Sequence, residues 1–218
     1  MFNEWLTEAE SFFERLRDVD HFDFDTLKIE INRPASKSTL QKIEKGLRLA
    51  IPDTFREIYL NATSAATLRY TCDVGESLVG QMKTAFGQKH LYAGGTLFDI
   101  ESLPAHLDEI EDGAEMLEDE GFDEHVLWRR SFPFLRTPNG DFLAVDLDTD
   151  GVVYLGHENG SLRLTKSLES FLSSWSLYAY AGPEWWILDK FRGAKGLLIK
   201  PSAAQRKSIR LLFPHIKT

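Results

Sequence analysis

The first regular signal along the chain is a set of apolar residues that recur with the 3.6-residue period of an amphipathic helix. This spacing predicts a helix over residues 2–17. Residues 21–31 alternate imperfectly between polar and apolar side chains, which indicates a strand. Ser36 or Ser38 can cap a second helix, and Pro52 suits the first turn of a third. The beginning of the chain is therefore predicted to be helical around one strand.

The middle of the chain carries a weaker pattern. Residues 68–96 are rich in glycine and favour short strands joined by turns. A helix is predicted to start near Pro104, with a narrow apolar stripe and an acidic remainder.

The clearest pattern is a series of short β-type runs separated by turn sequences such as Asn139-Gly140 and Asp150-Gly151. It predicts an antiparallel meander, closed by a helix that begins at Thr165 or Ser167. The runs occupy residues 128–135, 142–147, 152–156 and 162–164. The side chains predicted to form the core of the meander and its closing helix are Pro133, Phe142, Val145, Val153 and Phe171.

The last part of the chain predicts an aromatic helix over residues 185–191 and a short helix capped by Ser202. No sequence repeat and no low-complexity linker interrupts the 218 residues, so we expect a single domain over residues 1–218. The elements together predict an α+β fold with a largely antiparallel sheet, helices packed on it, and helical additions at both ends.

Composition narrows the class of protein. A hydrophobic fraction of 43% is enough for a packed core, and no apolar run reaches the roughly 18 residues of a membrane helix. The acidic N-terminus is unlike a secretory signal. The single cysteine, Cys72, excludes an internal disulfide and suits a reducing compartment. We therefore expect a cytoplasmic protein with no membrane partner.

The charge is unevenly distributed. The net charge of −9 argues against direct binding of nucleic acid and favours a basic protein partner. No Lys or Arg lies between Ile100 and Leu127, whereas basic residues dominate after Pro183. The acidic run can be interpreted as a solvated helix face or as a binding surface. Like charges four residues apart, such as Asp108 and Asp112, oppose helix stability by a few tenths of a kcal/mol, and this cost favours the binding surface.

The motifs of catalysis and ligand binding are missing from the sequence. It contains no Gly-x-Ser-x-Gly elbow, no P-loop and no Gly-x-Gly-x-x-Gly pattern. No histidine has another within three to five residues, and the alternating Asp146, Asp148 and Asp150 lack the remaining ligands of a calcium loop. We therefore expect no enzyme activity, no cofactor and no metal.

Two stretches of the sequence together match the pattern of a known family. The first is Leu40 to Leu47 followed by Ile51-Pro52-Asp53 and the helix to Leu60. The second runs from Phe132-Pro133-Phe134 through Asn139-Gly140-Asp141 and the meander to Ser170-Phe171-Leu172. In order and spacing they resemble the SUKH superfamily, which includes Smi/Knr-like regulators and many bacterial immunity proteins, and the resemblance covers a core over residues 36–180. It leaves an N-terminal helical extension over 1–35 and a basic helical C-terminal extension over 183–218.

The resemblance implies a curved sheet with packed helices and a frequent role in neutralising a polymorphic toxin by direct binding. The leading hypothesis is an immunity protein, or toxin inhibitor, that binds a cognate toxin; a basic, nucleic-acid-targeting toxin would suit the acidic run. The alternative is a non-catalytic regulatory or scaffold protein of the Smi/Knr type that binds a cellular protein. An interface with the partner would need an aromatic anchor, for which Trp128, Tyr92 or Trp185 could serve. The candidate partner-binding residues are Asp108, Glu111, Asp112, Glu115, Glu118, Asp119 and Trp128.

Overall fold

The computed structural model describes residues 2–157 and 160–214, which form helices and one sheet. Within these residues the helices are α1 (Phe2–Arg15), α2 (Lys37–Glu44), α3 (Asp53–Asn61), α4 (Val79–Phe86), α5 (Leu103–Asp119), α6 (Glu124–Arg129), α7 (Leu168–Leu177), α8 (Trp185–Leu188) and α9 (Ala203–Leu212). The strands are β1 (Phe22–Ile31), β2 (Ala66–Val74), β3 (Leu91–Leu97), β4 (Ser131–Arg136), β5 (Phe142–Asp146), β6 (Val152–Leu155) and β7 (Leu162–Thr165).

The described strands are hydrogen-bonded in the order in which they occur along the chain, from β1 to β7. The pairs from β3 to β7 are antiparallel. The predicted α+β fold with a largely antiparallel sheet is therefore confirmed. Among the residues described, none of the helices combines the length and apolar character that crossing a bilayer requires.

The chain divides into two compact units. The first comprises the described residues within 1–30, 67–95 and 169–218, and the second comprises those within 31–66 and 96–168. The first unit thus contains most of both predicted terminal extensions, although the last four residues of the basic extension lie outside the described part. The single-domain organisation stays a prediction.

An aromatic core holds the first unit together. The stripe predicted for the N-terminal helix is buried on α1, where the ring of Phe12 lies 5.1 Å from that of Tyr180 and 5.8 Å from that of Phe213. The hydroxyl of Tyr70 donates a hydrogen bond of 2.7 Å to the carbonyl of Ala179. Buried aromatic rings at these spacings stabilise a fold beyond their burial alone.

The predicted meander forms strands β4 to β7 of the sheet, within the second unit. β4 and β5 pair Phe132 with Val145, and β5 and β6 pair Ala144 with Val153. Asp150 adopts a left-handed φ of 57° in the turn between β5 and β6, a conformation that aspartate tolerates. The five side chains predicted for the core are all buried, which confirms that prediction.

Two sequence predictions need correction. Residues 68–96 do not form only short strands and turns, because they contain helix α4 between β2 and β3. Gly80 weakens its helical pattern, and Gly87 ends it after only eight residues with a φ of 79°. The run predicted from residue 128 begins as helix α6, and the strand starts at Ser131. A six-residue helix is too short to show a helical period.

Candidate protein-binding surface

Helix α5 carries most of the acidic residues and is strongly amphipathic. Its inner face buries Leu107, Ile110 and Ala114, and the last two join a hydrophobic cluster with residues of β5 and β6. The helix is therefore anchored to the meander along one side. Its other side presents carboxylates, which fall into two sets.

The first set of carboxylates is held by arginines of the same unit. Glu111 lies 3.0 Å from Arg48 and 2.8 Å from Arg129, and Glu118 lies 2.7 Å from Arg129. The hydrogen bond and charge of Arg129 lower the pKa of Glu118 below its ordinary value. On the opposite flank of α5, Glu109 pairs with an arginine of β4 at 2.8 Å. These residues therefore have intramolecular partners.

The second set comprises Asp108, Asp112, Glu115 and Asp119, all exposed. Their spacing of four, three and four residues places them in one stripe on the side of α5 opposite its buried residues. None of the four has an ion pair within the described ranges. Four like charges along one helix face repel one another, so this stripe lowers the stability of the isolated chain. We call these four residues the acidic stripe.

Large apolar side chains are exposed beside the acidic stripe. Met116 on α5 is 43% exposed, Phe122 in the following turn is 50% exposed, and Val126 on α6 is 51% exposed. Helices α5 and α6 pack against each other in the second unit. The charge pattern of the acidic run does not indicate these three apolar residues. They provide the apolar area that a protein interface buries at its centre.

Trp128 is the one candidate residue that the structure removes from the surface. Its ring is 1% exposed and belongs to the hydrophobic cluster under α5. Its indole N–H donates a hydrogen bond of 2.9 Å to the hydroxyl of Ser161. A residue enclosed in this way cannot anchor a partner without unfolding its surroundings, so Trp128 has a structural role. The other two proposed aromatic anchors, Tyr92 and Trp185, lie in the first unit, and both are partly buried.

The two sets of carboxylates predict opposite effects on stability. Neutralising the paired Glu111 and Glu118 together, in E111Q/E118Q, is expected to lower the free energy of unfolding because Arg48 and Arg129 lose their partners. The matched variant D112N/E115Q removes the same number of charges from the acidic stripe. It is expected to leave the stability unchanged or to raise it slightly, because repulsion within the stripe is relieved. Urea unfolding of both variants measures the difference, and equal effects would contradict the division into two sets.

A buried aspartate organises the loop ends next to α5. Asp141 accepts hydrogen bonds from the amide of Asn139 at 2.6 Å, from the backbone N–H of His157 at 3.0 Å, and from the hydroxyl of Tyr154. The Nδ1 atom of His157 lies 2.7 Å from the same carboxylate. Burial raises the pKa of Asp141, but these hydrogen bonds outweigh it, and the net pKa lies below its ordinary value. The aspartate is therefore a fixed anion.

His157 also lines an open pocket beside α5. Glu109, Asp112 and Met116 of α5 line the same pocket. An aspartate-oriented histidine is a part of many catalytic sites, yet such chemistry also needs a nucleophile or a bound substrate group. The lining residues within the described ranges include no serine, threonine, cysteine or lysine. The interaction of Asp141 with His157 instead connects the residue before β5 with the segment that follows β6.

Cys72 and the cluster around His90, both in the first unit, bear on the prediction that the protein has no enzyme activity and no metal site. Cys72 is buried, and burial raises the pKa of its thiol, with smaller contributions from Asp73 and Asp25. The Nδ1 atom of His90 lies 3.4 Å from Asp73 and 3.8 Å from Asp25. All three of these side chains are exposed, which is the ordinary setting of a surface ion pair. The absence of a metal and of an enzyme activity stays a prediction.

Comparison with known protein families matches residues 34–174 to the SMI1 / KNR4 family (SUKH-1). The match spans more than half of the chain and includes the meander, α5 and the acidic stripe. Comparison with curated proteins finds no match.

Proposed function

The chain belongs to the SMI1 / KNR4 family (SUKH-1), and from this premise we propose that it is an immunity protein that neutralises a cognate toxin by direct binding. The observation that carries the proposal is the acidic stripe on α5. Its four carboxylates are exposed, lie on one helix face and have no ion pair in the described part of the chain. Charges that destabilise a protein without serving its fold are expected where a partner compensates them.

The same surface supports a choice of partner. A row of carboxylates attracts a basic protein, and toxin domains that act on nucleic acid carry basic surfaces of this kind. The neighbouring Met116, Phe122 and Val126 supply apolar area that carboxylates alone lack. We propose a basic, nucleic-acid-targeting toxin of a polymorphic toxin system, occluded in the cytoplasm of the producing cell. The mechanism is steric and electrostatic, and it involves no catalysis by this chain.

The proposal is tested by the kinetics of association with the toxin encoded beside this gene. Neutralising the acidic stripe in D108N/D112N/E115Q/D119N is expected to slow association at low ionic strength by roughly tenfold or more, because long-range attraction steers the encounter. The dependence of the rate on salt should weaken as well. Stopped-flow or surface-binding measurements at low and at moderate ionic strength give both quantities.

A matched control separates the stripe from the overall charge. The variant E14Q/D18N/D20N/D23N also neutralises three aspartates and one glutamate, all exposed, but in the first unit. It is expected to bind the toxin at nearly the wild-type rate. An equal loss of association rate in both variants would mean that net charge alone accounts for the effect. An unchanged association rate in the stripe variant would mean that the toxin contacts another surface. If no neighbouring toxin exists and the chain captures a cellular protein instead, the regulatory or scaffold role replaces the immunity role.

A further inference from the structure

A second charged surface lies in the first unit and has the opposite sign. Residues 190–214 contain seven Lys and Arg residues and no Asp or Glu. Residues 77–90 likewise contain Lys83 and Lys89 without an acidic residue. These two segments are about 100 residues apart in the sequence, so no local pattern joins them.

Packing of α4 against α9 brings the two segments together. The ring of Phe86 at the end of α4 lies 6.2 Å from the rings of both Phe191 and Phe213. The side chain of Lys190 lies against Gly87, where an added Cβ would stand 2.9 Å from its Cε atom. The amide of Gln205 at the start of α9 donates a hydrogen bond of 3.1 Å to the carbonyl of Lys190. The two segments, which contain no Asp or Glu of their own, therefore lie next to each other in the first unit.

Most of the available positive charge on these two adjacent segments comes from lysines. Arg192 is committed to Asp189 at 3.1 Å, and Arg206 donates a hydrogen bond of 2.6 Å to the carbonyl of Pro201. The lysines are exposed and have no ion pair within residues 2–157 and 160–214. We call the following six residues the basic surface: Lys83, Lys89, Lys190, Lys195, Lys200 and Lys207.

Exposed apolar side chains are interleaved with these lysines. Trp186 is 43% exposed and precedes Lys190 by four residues. Ile199 is 53% exposed and directly precedes Lys200, and Leu211 is 51% exposed one helical turn after Lys207 on α9. Each apolar group therefore has a lysine one residue or four residues away in the sequence, and the Lys207–Leu211 pair shares one side of a helix.

We propose that the basic surface binds the anionic face of a lipid membrane. Clusters of lysines attract anionic headgroups, while exposed Trp, Ile and Leu side chains gain free energy by entering the boundary between headgroups and acyl chains. Nucleic-acid surfaces favour arginine forks and several stacking aromatics, but two of the three arginines in this segment are bonded within their own chain. Lysine is also depleted in protein–protein interfaces.

This inference concerns peripheral binding and revises the sequence-based expectation of no membrane partner. That expectation came from the absence of a long apolar run, which bears on spanning helices alone. Membrane attachment of this kind depends on the juxtaposition of α4, α9 and the residues around Lys190, which only the structure provides. It does not depend on the toxin or on the acidic stripe, so the two proposals succeed or fail separately.

The test is co-sedimentation of the full chain with vesicles of phosphatidylcholine containing about 30 mol% phosphatidylserine, compared with vesicles of phosphatidylcholine alone. Binding is expected to the anionic vesicles only and to decrease with added salt. In K190Q/K195Q/K200Q/K207Q the affinity should fall by roughly fivefold for each lysine, so binding is lost overall. The matched control K37Q/K42Q/K45Q/K166Q neutralises four exposed lysines of the second unit and should bind as wild type.

A second variant, W186S/I199S/L211S, separates membrane from nucleic acid. Its three positions are exposed, so the fold should be retained, and circular dichroism verifies this. It is expected to bind anionic vesicles at least tenfold more weakly than wild type. A labelled DNA duplex serves as the competing probe, and no binding to it is expected. Equal binding to both kinds of vesicle, no binding to either, or DNA binding that the serine variant retains would each overturn the proposal.

Discussion

Replacing Trp128 with Ala is expected to lower the free energy of unfolding by about 3–5 kcal/mol, as is typical when a large buried aromatic side chain is truncated. The ring is 1% exposed and packs with Ile110 and Ala114 of α5 against β5 and β6. Truncation leaves a cavity between the helix and the sheet that the surrounding backbone cannot fill completely. Urea unfolding followed by circular dichroism gives the magnitude.

The packing around Trp128 explains why the cost should be high. An added Cβ at Gly113 would stand 2.3 Å from the indole ring, so the helix approaches the ring as closely as its backbone permits. The centroids of the same indole and of the His157 ring lie 5.5 Å apart in a T-shaped arrangement, and the indole N–H donates a hydrogen bond to Ser161. G113A should therefore also destabilise the chain, by about 1–3 kcal/mol of overpacking, although alanine is normally the better helix former.

Two controls fix the interpretation of the Trp128 variant. W186A removes a tryptophan that is 43% exposed and should change the stability much less than W128A. W128F retains most of the ring volume but loses the hydrogen bond to Ser161, so it should fall between wild type and W128A. A near-neutral W128A with impaired partner binding would instead restore Trp128 to the interface.

The elements that sequence predicted well are those whose signals are local. The meander was predictable because turn sequences such as Asn139-Gly140 recur at short intervals between apolar runs. Helix α1 was predictable from one apolar stripe. Helix α4 was not, because Gly80 interrupts a pattern of only eight residues. Helix α6 was missed because its six residues lie directly before a strand.

The candidate site was predictable in position but not in detail. The acidic run is visible in the sequence, since no Lys or Arg interrupts it. The partners of Glu109, Glu111 and Glu118 are arginines 11 to 63 positions away, and no local rule connects them. Only the fold shows which carboxylates are neutralised and which form the acidic stripe. The burial of Trp128 likewise depends on the packing of α5 with β5 and β6, which the sequence did not indicate.

A second carboxylate cluster, at the end of β5, is expected to control stability in acid. The side chain of Asp146 is fully buried, and its two oxygens lie 2.9 Å from Arg130 and 2.9 Å from Arg163. The hydroxyl of Thr149 donates a further hydrogen bond of 2.7 Å. Burial raises the pKa of Asp146. The hydrogen bonds from Thr149 and the Asp148 N–H and the charges of the two arginines lower this pKa by more than burial raises it. The net pKa lies below the ordinary value of 3.8.

The sign of the pH dependence follows from that lowered pKa. A carboxyl group that is more acidic in the folded chain adds stability above the pKa of the unfolded chain, and this stability disappears as the pH falls through the folded value. Wild type should therefore lose stability as the pH decreases from about 5 to about 3. At neutral pH, D146N should be less stable than wild type by about 1.5–3 kcal/mol, the range for hydrogen bonds to a charged group.

The difference between wild type and D146N should itself shrink in acid, because protonation of Asp146 removes the same interactions that the substitution removes. The matched control is D150N, four residues later in the same turn. Asp150 is exposed, and asparagine tolerates its φ of 57° equally well, so D150N should follow the wild-type curve at every pH. Urea unfolding of the three proteins across this pH range measures the effect. A constant difference between wild type and D146N down to low pH would mean that Asp146 contributes through packing rather than through its charge.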